Sequence, residues 1–227
     1  MSISQEQIQE YQDKMREAVA DYDGAEIGVP VTQQALDAGV TPVEFFQEVI
    51  SPVVEEVGDQ FAKLEIFLPE LMVAGMVIKQ IQERVLEPAI KATATGSGSM
   101  GKVVVGTCQG DLHDIGKDMV ALMLQVNGFE VIDLGTDNAP QKFIEAAKSE
   151  KADIIAMSAL LTPSVPYISD VSKLLVGFGI RDQFKIIVGG AAVTKQWVEK
   201  NDVDGYGRDA VEAVEICRSI MKTQKEG

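Results

Sequence analysis

The chain reads as an N-terminal all-α helical bundle followed by a C-terminal α/β domain of the flavodoxin-like, Rossmann-type class, with a five-stranded parallel sheet. Three observations predict this division. Over residues 1–90 apolar positions recur at helical spacing, with cap signals and no strand-like run. Residues 91–101, Lys-Ala-Thr-Ala-Thr-Gly-Ser-Gly-Ser-Met-Gly, are small and polar and offer no face that a core would cover. From residue 102 onward, short continuous apolar runs alternate with helical segments, the pattern of a parallel sheet covered on both faces. The expected organisation is a helical domain over 1–90, a flexible linker over 91–101 and the α/β domain over 102–227. A chain of 227 residues is long enough for two modest cores.

Ser4 and Gln7 have the spacing of a capping box, and the helix they open runs to about residue 21. A weaker helix follows Asp23-Gly24 and ends near Gly39, with Pro30 disturbing its first turns. Thr41-Pro42-Val43-Glu44 is a clear start, with Thr as N-cap, Pro in the first turn and Glu three residues after the cap. Ser51-Pro52 looks like a second start, which splits residues 42–63 into two helical pieces. The last helix opens at Leu68-Pro69-Glu70 and runs to about residue 86, with Leu71, Met72, Met76, Ile78 and Val85 suited to a bundle of four or five helices.

In the second half, strands are expected at 102–107, 130–134, 153–158 and 185–188, with a short fifth near 203–206. Helices fall at about 114–127, 140–150, 165–178, 193–200 and 208–222. Five such units fit the strand order 2-1-3-4-5, in which ligands bind at the carboxyl ends of the strands near the switch between strands one and three.

The formal net charge is −15 and is unevenly spread, with −12 on residues 1–90 and −3 on the remainder. Phosphate backbones and anionic membranes would be repelled, so neither nucleic acid nor membrane is an expected partner. No stretch is apolar for long enough to span a bilayer, and the first residues, Met1-Ser-Ile-Ser-Gln-Glu-Gln-Ile, do not resemble a secretory signal. Two cysteines in different elements, Cys108 and Cys217, suggest no disulfide framework, and a reducing cytoplasm is the expected compartment.

The single histidine, His113, stands in Gly110-Asp111-Leu112-His113-Asp114-Ile115-Gly116-Lys117, directly after the first strand. Imidazole is a common metal ligand, and a carboxylate two residues away can orient it by taking the proton of its other nitrogen. The other unusual polar and glycine positions gather on the same rim: Ser158-Ala159-Leu160-Leu161-Thr162 after strand three, Gly189-Gly190 after strand four and Tyr206-Gly207 after the fifth. A Gly-x-Gly-x-x-Gly turn after strand one is absent, as is a P-loop lysine pattern, which disfavours dinucleotide and nucleoside-triphosphate sites.

Asp111-x-His113-x-x-Gly116, Ser158-x-Leu160 with Thr162, and Gly189-Gly190 resemble the three cobalamin-binding segments of methionine-synthase-type domains, in their usual order and spacing. Phe67-Leu68-Pro69-Glu70-Leu71 is similar to the start of the cap helix in corrinoid proteins of methyltransferase systems. The resemblance covers nearly the whole chain and is to the family of small corrinoid methyl-carrier proteins. It implies a cobalamin cofactor, methylcobalamin in the loaded state, whose own base leaves cobalt and inserts as a tail between strands one and three. His113 then becomes the axial cobalt ligand through Nε2, Asp111 accepts the Nδ1 proton, and Ser158 extends that pair, with Thr162 a turn further on. The remaining cofactor-binding positions implied are Gln109, Gly110, Leu112, Asp114, Ile115, Gly116, Leu160, Gly189, Gly190, Tyr206 and Gly207.

Phe67, Leu71, Met72 and Met76 are candidates to cover the methyl-bearing upper face, although plain bundle core explains the two methionines equally well. Cys108, a possible soft ligand, stands before the loop that presents His113 and is expected to be a core or loop cysteine, and Trp197 is expected to pack a helix onto the sheet. The sequence holds no group suited to activating a methylated substrate, so the resemblance implies a carrier subunit between two catalytic partners. Those partners are a substrate-specific methyltransferase and an acceptor methyltransferase, tetrahydrofolate- or thiol-dependent, together with a reductive activator. The alternative is the cobalamin-binding subunit of an adenosylcobalamin-dependent mutase, which has no need of an attached helical cap. A cobalamin-dependent regulator would require an output module such as a basic helix-turn-helix, and no basic segment is present.

Overall fold

The structure, a computed structural model, describes residues 4–92 and 100–226. The chain forms two compact units, residues 1–93 and 94–227. In the first, α1 (Gln5–Val19) opens on a capping box in which the Ser4 hydroxyl accepts the Gln7 N–H and the Gln7 side chain accepts the Ser4 N–H. Helix α2 (Ala25–Asp37) runs through Pro30. Thr41 and Glu44 form a second capping box at the head of α3 (Pro42–Phe45).

The break expected at Ser51-Pro52 does not occur. A π-turn, Phe46–Ile50, joins α3 directly to α4 (Ser51–Ala62), with the Ser51 N–H reaching the Phe46 carbonyl five residues back. Pro52 donates no N–H, and its ring would press on the carbonyl four residues earlier; one widened turn relieves that clash without ending the helix. The device is repeated further on. Helix α5 (Leu68–Ile81) passes through a second π-turn, Gln82–Leu86, into α6 (Glu87–Ala92), just ahead of Pro88. The helix expected to stop near residue 86 therefore takes in the first two residues of the expected linker. Residues 93–99 of that linker lie outside the described residues.

Met15, Phe45, Ile50, Ile78, Ile81 and Leu86 are fully buried in this unit, and Tyr11 meets Phe45 edge-on with ring centroids 5.8 Å apart. Gly28 allows α2 to approach α5, since a Cβ there would stand 2.4 Å from Ile81 Cδ1. The buried face of α5 is Ala74, Val77, Ile78 and Ile81. Met72 and Met76 are 58% and 49% exposed, so the bundle-core reading of these two residues is overturned. They sit on the opposite side of a helix whose small and β-branched residues already fill the bundle.

The second unit alternates β1 (Lys102–Thr107), α7 (Ile115–Val126), β2 (Glu130–Asp133), α8 (Pro140–Glu150), β3 (Ile154–Ser158), α9 (Val165–Gly177), β4 (Lys185–Gly189), α10 (Lys195–Val198), β5 (Gly205–Tyr206) and α11 (Ala210–Glu226). The strands are parallel in the order β2-β1-β3-β4-β5. Strand residues alternate between two cores, as the two-residue period of a strand requires. Val104, Ile155, Met157, Ile186 and Val188 pack with α8 and α9 on one face. Val103, Val105, Ile154, Ala156 and Ile187 pack with α7 and α11 on the other. Helix α10 is a single turn capped by Thr194, shorter than the segment 193–200, and Val193 before it is drawn into the core. Trp197 packs on the first of these cores, as expected.

Candidate functional site at the carboxyl edge of the sheet

The register Thr107↔Ser158↔Gly189 aligns the ends of β1, β3 and β4, so the loops that follow them leave the sheet side by side. The loop after β1 rises from Thr107, whose hydroxyl donates to the His113 carbonyl at 2.9 Å. Gly110, with φ +78°, turns the chain back so that the Asp111 side chain points into the protein.

Asp111 is completely buried, and its carboxylate accepts four hydrogen bonds. Oδ1 takes the His113 N–H at 3.1 Å and lies 2.6 Å from His113 Nδ1. Oδ2 takes the N–H groups of Leu160 and Leu161 at 2.6 and 3.0 Å. Burial alone would raise the Asp111 carboxyl, but the bonds from the His113 ring and backbone and from Leu161 and Leu160 outweigh it and hold the carboxyl below its ordinary value. A carboxylate can only accept, so Nδ1 carries a proton, and in the neutral imidazole the lone pair is then on Nε2. No described residue bonds Nε2, and the imidazole side chain is 53% exposed.

The residues next to this pair in the chain and in its hydrogen bonds carry exposed apolar side chains: Leu112 at 73%, and Leu160 and Leu161 at 40% each. Gly116, in the first turn of α7, has nothing within 4 Å of where a Cβ would stand. Among the described residues no group of three or more His, Cys, Asp or Glu side chains is placed to hold a metal ion. A metal taken up at His113 must therefore bring most of its own ligands and cover a broad, partly apolar bed. A corrin ring does both, and the residues present fit one.

Other predicted positions have different surroundings. The Ser158 hydroxyl is half-buried and makes no described hydrogen bond; the place expected for it beside Asp111 is taken by the two loop amides. Thr162 is exposed at the start of a short 3-10 turn, Thr162–Ser164, ahead of α9. Asp114 is the N-cap residue of α7, and Ile115 begins that helix. Gln109 lines a shallow groove with Pro140, Gln141 and Tyr167, facing α8 and α9.

Gly189, Gly190 and Gly207 each have a packing reason of their own. A Cβ on Gly190 would meet the Ala159 carbonyl oxygen at 2.4 Å, one on Gly189 the Gly207 carbonyl oxygen at 2.9 Å, and one on Gly207 the backbone of Ala213 at 3.1 Å. Tyr206 is partly buried against the α8–α9 core. Cys108 is core, and burial pushes its thiol up to about 12, too high for a ready metal ligand. On the helical unit Phe67, Met72 and Met76 are exposed and Leu71 is half-buried.

Sequence reasoning missed the loop after β2. Asn138 is fully buried, donating through Nδ2 to the carbonyls of Thr107 and Gly135 and accepting from Lys142 Nζ. Lys117, also buried, pairs with Asp133 at the end of β2 and with Asp118. The turn-forming run Gly135-Thr136-Asp137-Asn138-Ala139-Pro140, placed after a strand at the ligand edge, was the signal available.

Comparison with known proteins agrees with this geometry. A B12 binding domain family matches residues 101–215, and a second B12 binding domain family matches residues 11–85. The chain belongs to the B12-binding corrinoid proteins. Trimethylamine corrinoid protein 1 of Methanosarcina acetivorans is 39% identical over 208 residues, 92% of this chain and 95% of that protein. Monomethylamine corrinoid protein 1 of Methanosarcina mazei is 35% identical over 217 residues, 94% and 99% of the two chains. The solved structure of the Methanosarcina barkeri monomethylamine corrinoid protein matches with a TM-score of 0.84 at 32% identity, covering 93% of this chain and 99% of that one. A chain of the methanol:cobalamin methyltransferase complex from Methanosarcina barkeri matches with a TM-score of 0.53 at 25% identity, covering 98% and 86%. As a corrinoid protein the chain binds a cobalamin. No helix among the described residues is long and apolar enough to cross a membrane.

Proposed function

We propose that this corrinoid protein holds its cobalamin with the cofactor's own base displaced and His113 beneath cobalt, and carries a methyl group from a substrate-specific methyltransferase to an acceptor methyltransferase. The observation that carries the reading is the half-exposed imidazole with its Nδ1 locked 2.6 Å from a buried carboxylate and its Nε2 left open. Bound there, the cofactor supplies the cobalt that takes up and gives up the methyl group. The protein's own contribution is positional and electrostatic. Asp111 fixes the tautomer and raises the donor strength of Nε2. The Leu160 and Leu161 amides keep Asp111 ionised, and Leu112, Leu160 and Leu161 contribute exposed apolar side chains.

On the helical unit, the exposed Phe67, Met72 and Met76, with Leu71 beside them, are the surface we assign to sheltering the methyl group. The relatives named for trimethylamine and monomethylamine support a methylamine-dependent partner, and the match to a chain of a methanol:cobalamin methyltransferase complex supports a methyltransferase as the partner class. A tetrahydrofolate- or thiol-dependent acceptor and a reductive activator complete the system.

The test is spectroscopic. Reconstituted protein in its paramagnetic cobalt(II) form should show coupling from one imidazole nitrogen, and His113→Ala should abolish that coupling while still retaining cofactor. Identical spectra from the two proteins would overturn the assignment.

A further inference from the structure

Asp137 stands in the loop after β2 with φ +53°, one of three described non-glycine residues in the left-handed region. Such a backbone is tolerated by Asp better than by most residues, yet it is still less favourable than an extended or right-handed one, so the surroundings must hold it. Two hydrogen bonds do. The Asp137 N–H donates to the Asp111 carbonyl at 3.0 Å, and Asp137 Oδ1 accepts the Gly110 N–H at 2.7 Å. The Gly110–Asp111 segment is thus gripped at both ends by one residue.

The grip is anchored in turn. The neighbouring Asn138 lies in a parallel bridge with Cys108, and its backbone N–H donates to the Thr107 carbonyl at 3.0 Å. Lys142 from α8 closes on Asn138 Oδ1 at 2.6 Å. Asp111 is therefore held on two independent sides, its carboxylate by the loop after β3 and its backbone by the loop after β2. Neither side touches the open Nε2 of His113.

We infer that Asp137 is a positioning residue for the cobalt site: through Gly110 and Asp111 it sets the direction in which the His113 imidazole faces the corrin. The inference rests on the reading of His113 as the lower ligand. Without the grip, the segment Gly110–Asp111 regains freedom at a glycine with positive φ, and the Asp111–His113 pair is free to swing while the sheet beneath it stays intact. The expected consequence is a cofactor that still binds but is coordinated by imidazole in only part of the population, with cobalamin affinity lower by roughly 10-fold, the lower end of what loss of a partner behind a metal ligand costs.

Three substitutions separate the hydrogen bond from the backbone strain. Asp137→Asn keeps an acceptor oxygen and the tolerance for positive φ, and should restore wild-type behaviour. Asp137→Gly keeps the backbone freedom but removes the acceptor, and Asp137→Ala removes both. Each reconstituted protein would be compared by cobalamin titration, by the imidazole-nitrogen coupling of its cobalt(II) form, and by the thermal midpoint of the cofactor-free chain. Reduced coupling in the Gly and Ala variants, with Asn behaving as wild type, is the expected result. A Gly variant with full coupling and unchanged affinity would overturn the inference, whatever its thermal midpoint. If wild type itself lacks imidazole coupling, it is the His113 reading that fails, and the two failures are distinguishable.

Discussion

In the α/β unit the exposed imidazole of His113 is held through Asp111, which draws two of its hydrogen bonds from residues 49 and 50 positions away and whose backbone is gripped from the loop after β2. In the helical unit the exposed Phe67, Met72 and Met76 are placed by α5 alone, with the Glu70 carboxylate accepting the Phe67 N–H to start the helix. One surface is a junction of loops distant in sequence; the other is one side of a helix whose opposite side is core. The difference teaches that the first should be costly to alter and the second cheap, although both serve the same cofactor under the proposed function.

The sharpest way to break this comparison is Asp111→Ala. It leaves the His113 backbone and ring N–H groups and the Leu160 and Leu161 amides without their acceptor, and each of these donors that is buried costs about 1–3 kcal/mol when orphaned. Denaturant unfolding should show a loss on the order of 2–5 kcal/mol, together with weaker cobalamin binding. A loss under about 1 kcal/mol would mean that water readily replaces the carboxylate, and the two surfaces would then be equally local.

Within the helical unit the next largest effect should be a gain. Gln82, at the second π-turn, is 2% exposed, and neither its amide oxygen nor its nitrogen has a hydrogen-bond partner among the described residues. Gln82→Met keeps the length of the side chain and removes two unsatisfied polar atoms, and should raise unfolding stability by about 1–3 kcal/mol. Destabilisation instead would show that a buried water serves this amide, adding to the helical unit a polar site of its own.

Smaller still is Thr41→Ala, which removes the hydroxyl that accepts the Glu44 N–H and should cost about 1 kcal/mol, visible as a lower thermal midpoint. The smallest change in stability is expected for Met72→Ala, within about 0.5 kcal/mol because the side chain is exposed. That variant should nevertheless lose a bound methyl group to light faster than wild type. Equal photolysis rates would remove Met72 from the sheltering surface.

Local chemistry explains which parts of this protein were legible in the chain. The two capping boxes, Ser4 with Gln7 and Thr41 with Glu44, need only residues three apart, and both form as read. The strand order follows from alternating apolar runs and helices, because a parallel sheet covered on both faces has few alternatives. The Ser51-Pro52 pair reads as a helix break, and the last helix reads as ending near residue 86, yet in both places the chain stays helical through a widened turn just ahead of a proline, Pro52 and Pro88. Which of those outcomes occurs depends on the packing on either side: Val49, Ile50, Val85 and Leu86 are all buried, and the helix continues so as to keep them so.

The site divides along the same line. The sequence by itself determined that His113 and Asp111 would stand together on a loop after the first strand, since a spacing of two on a tight loop is a local matter. It also determined the sheet edge on which the loop emerges, through the succession of strands. Only the tertiary structure decided that Leu160 and Leu161, not Ser158, supply the partners of Asp111, that Asp137 grips the loop from behind, and that Met72 and Met76 face outward. Backbone amides carry no residue-type signature, so a hydrogen bond from them across 49 positions leaves no mark in the sequence. Likewise an apolar side chain on an amphipathic helix is assigned to core or surface only when the neighbouring helices have filled the space beside it.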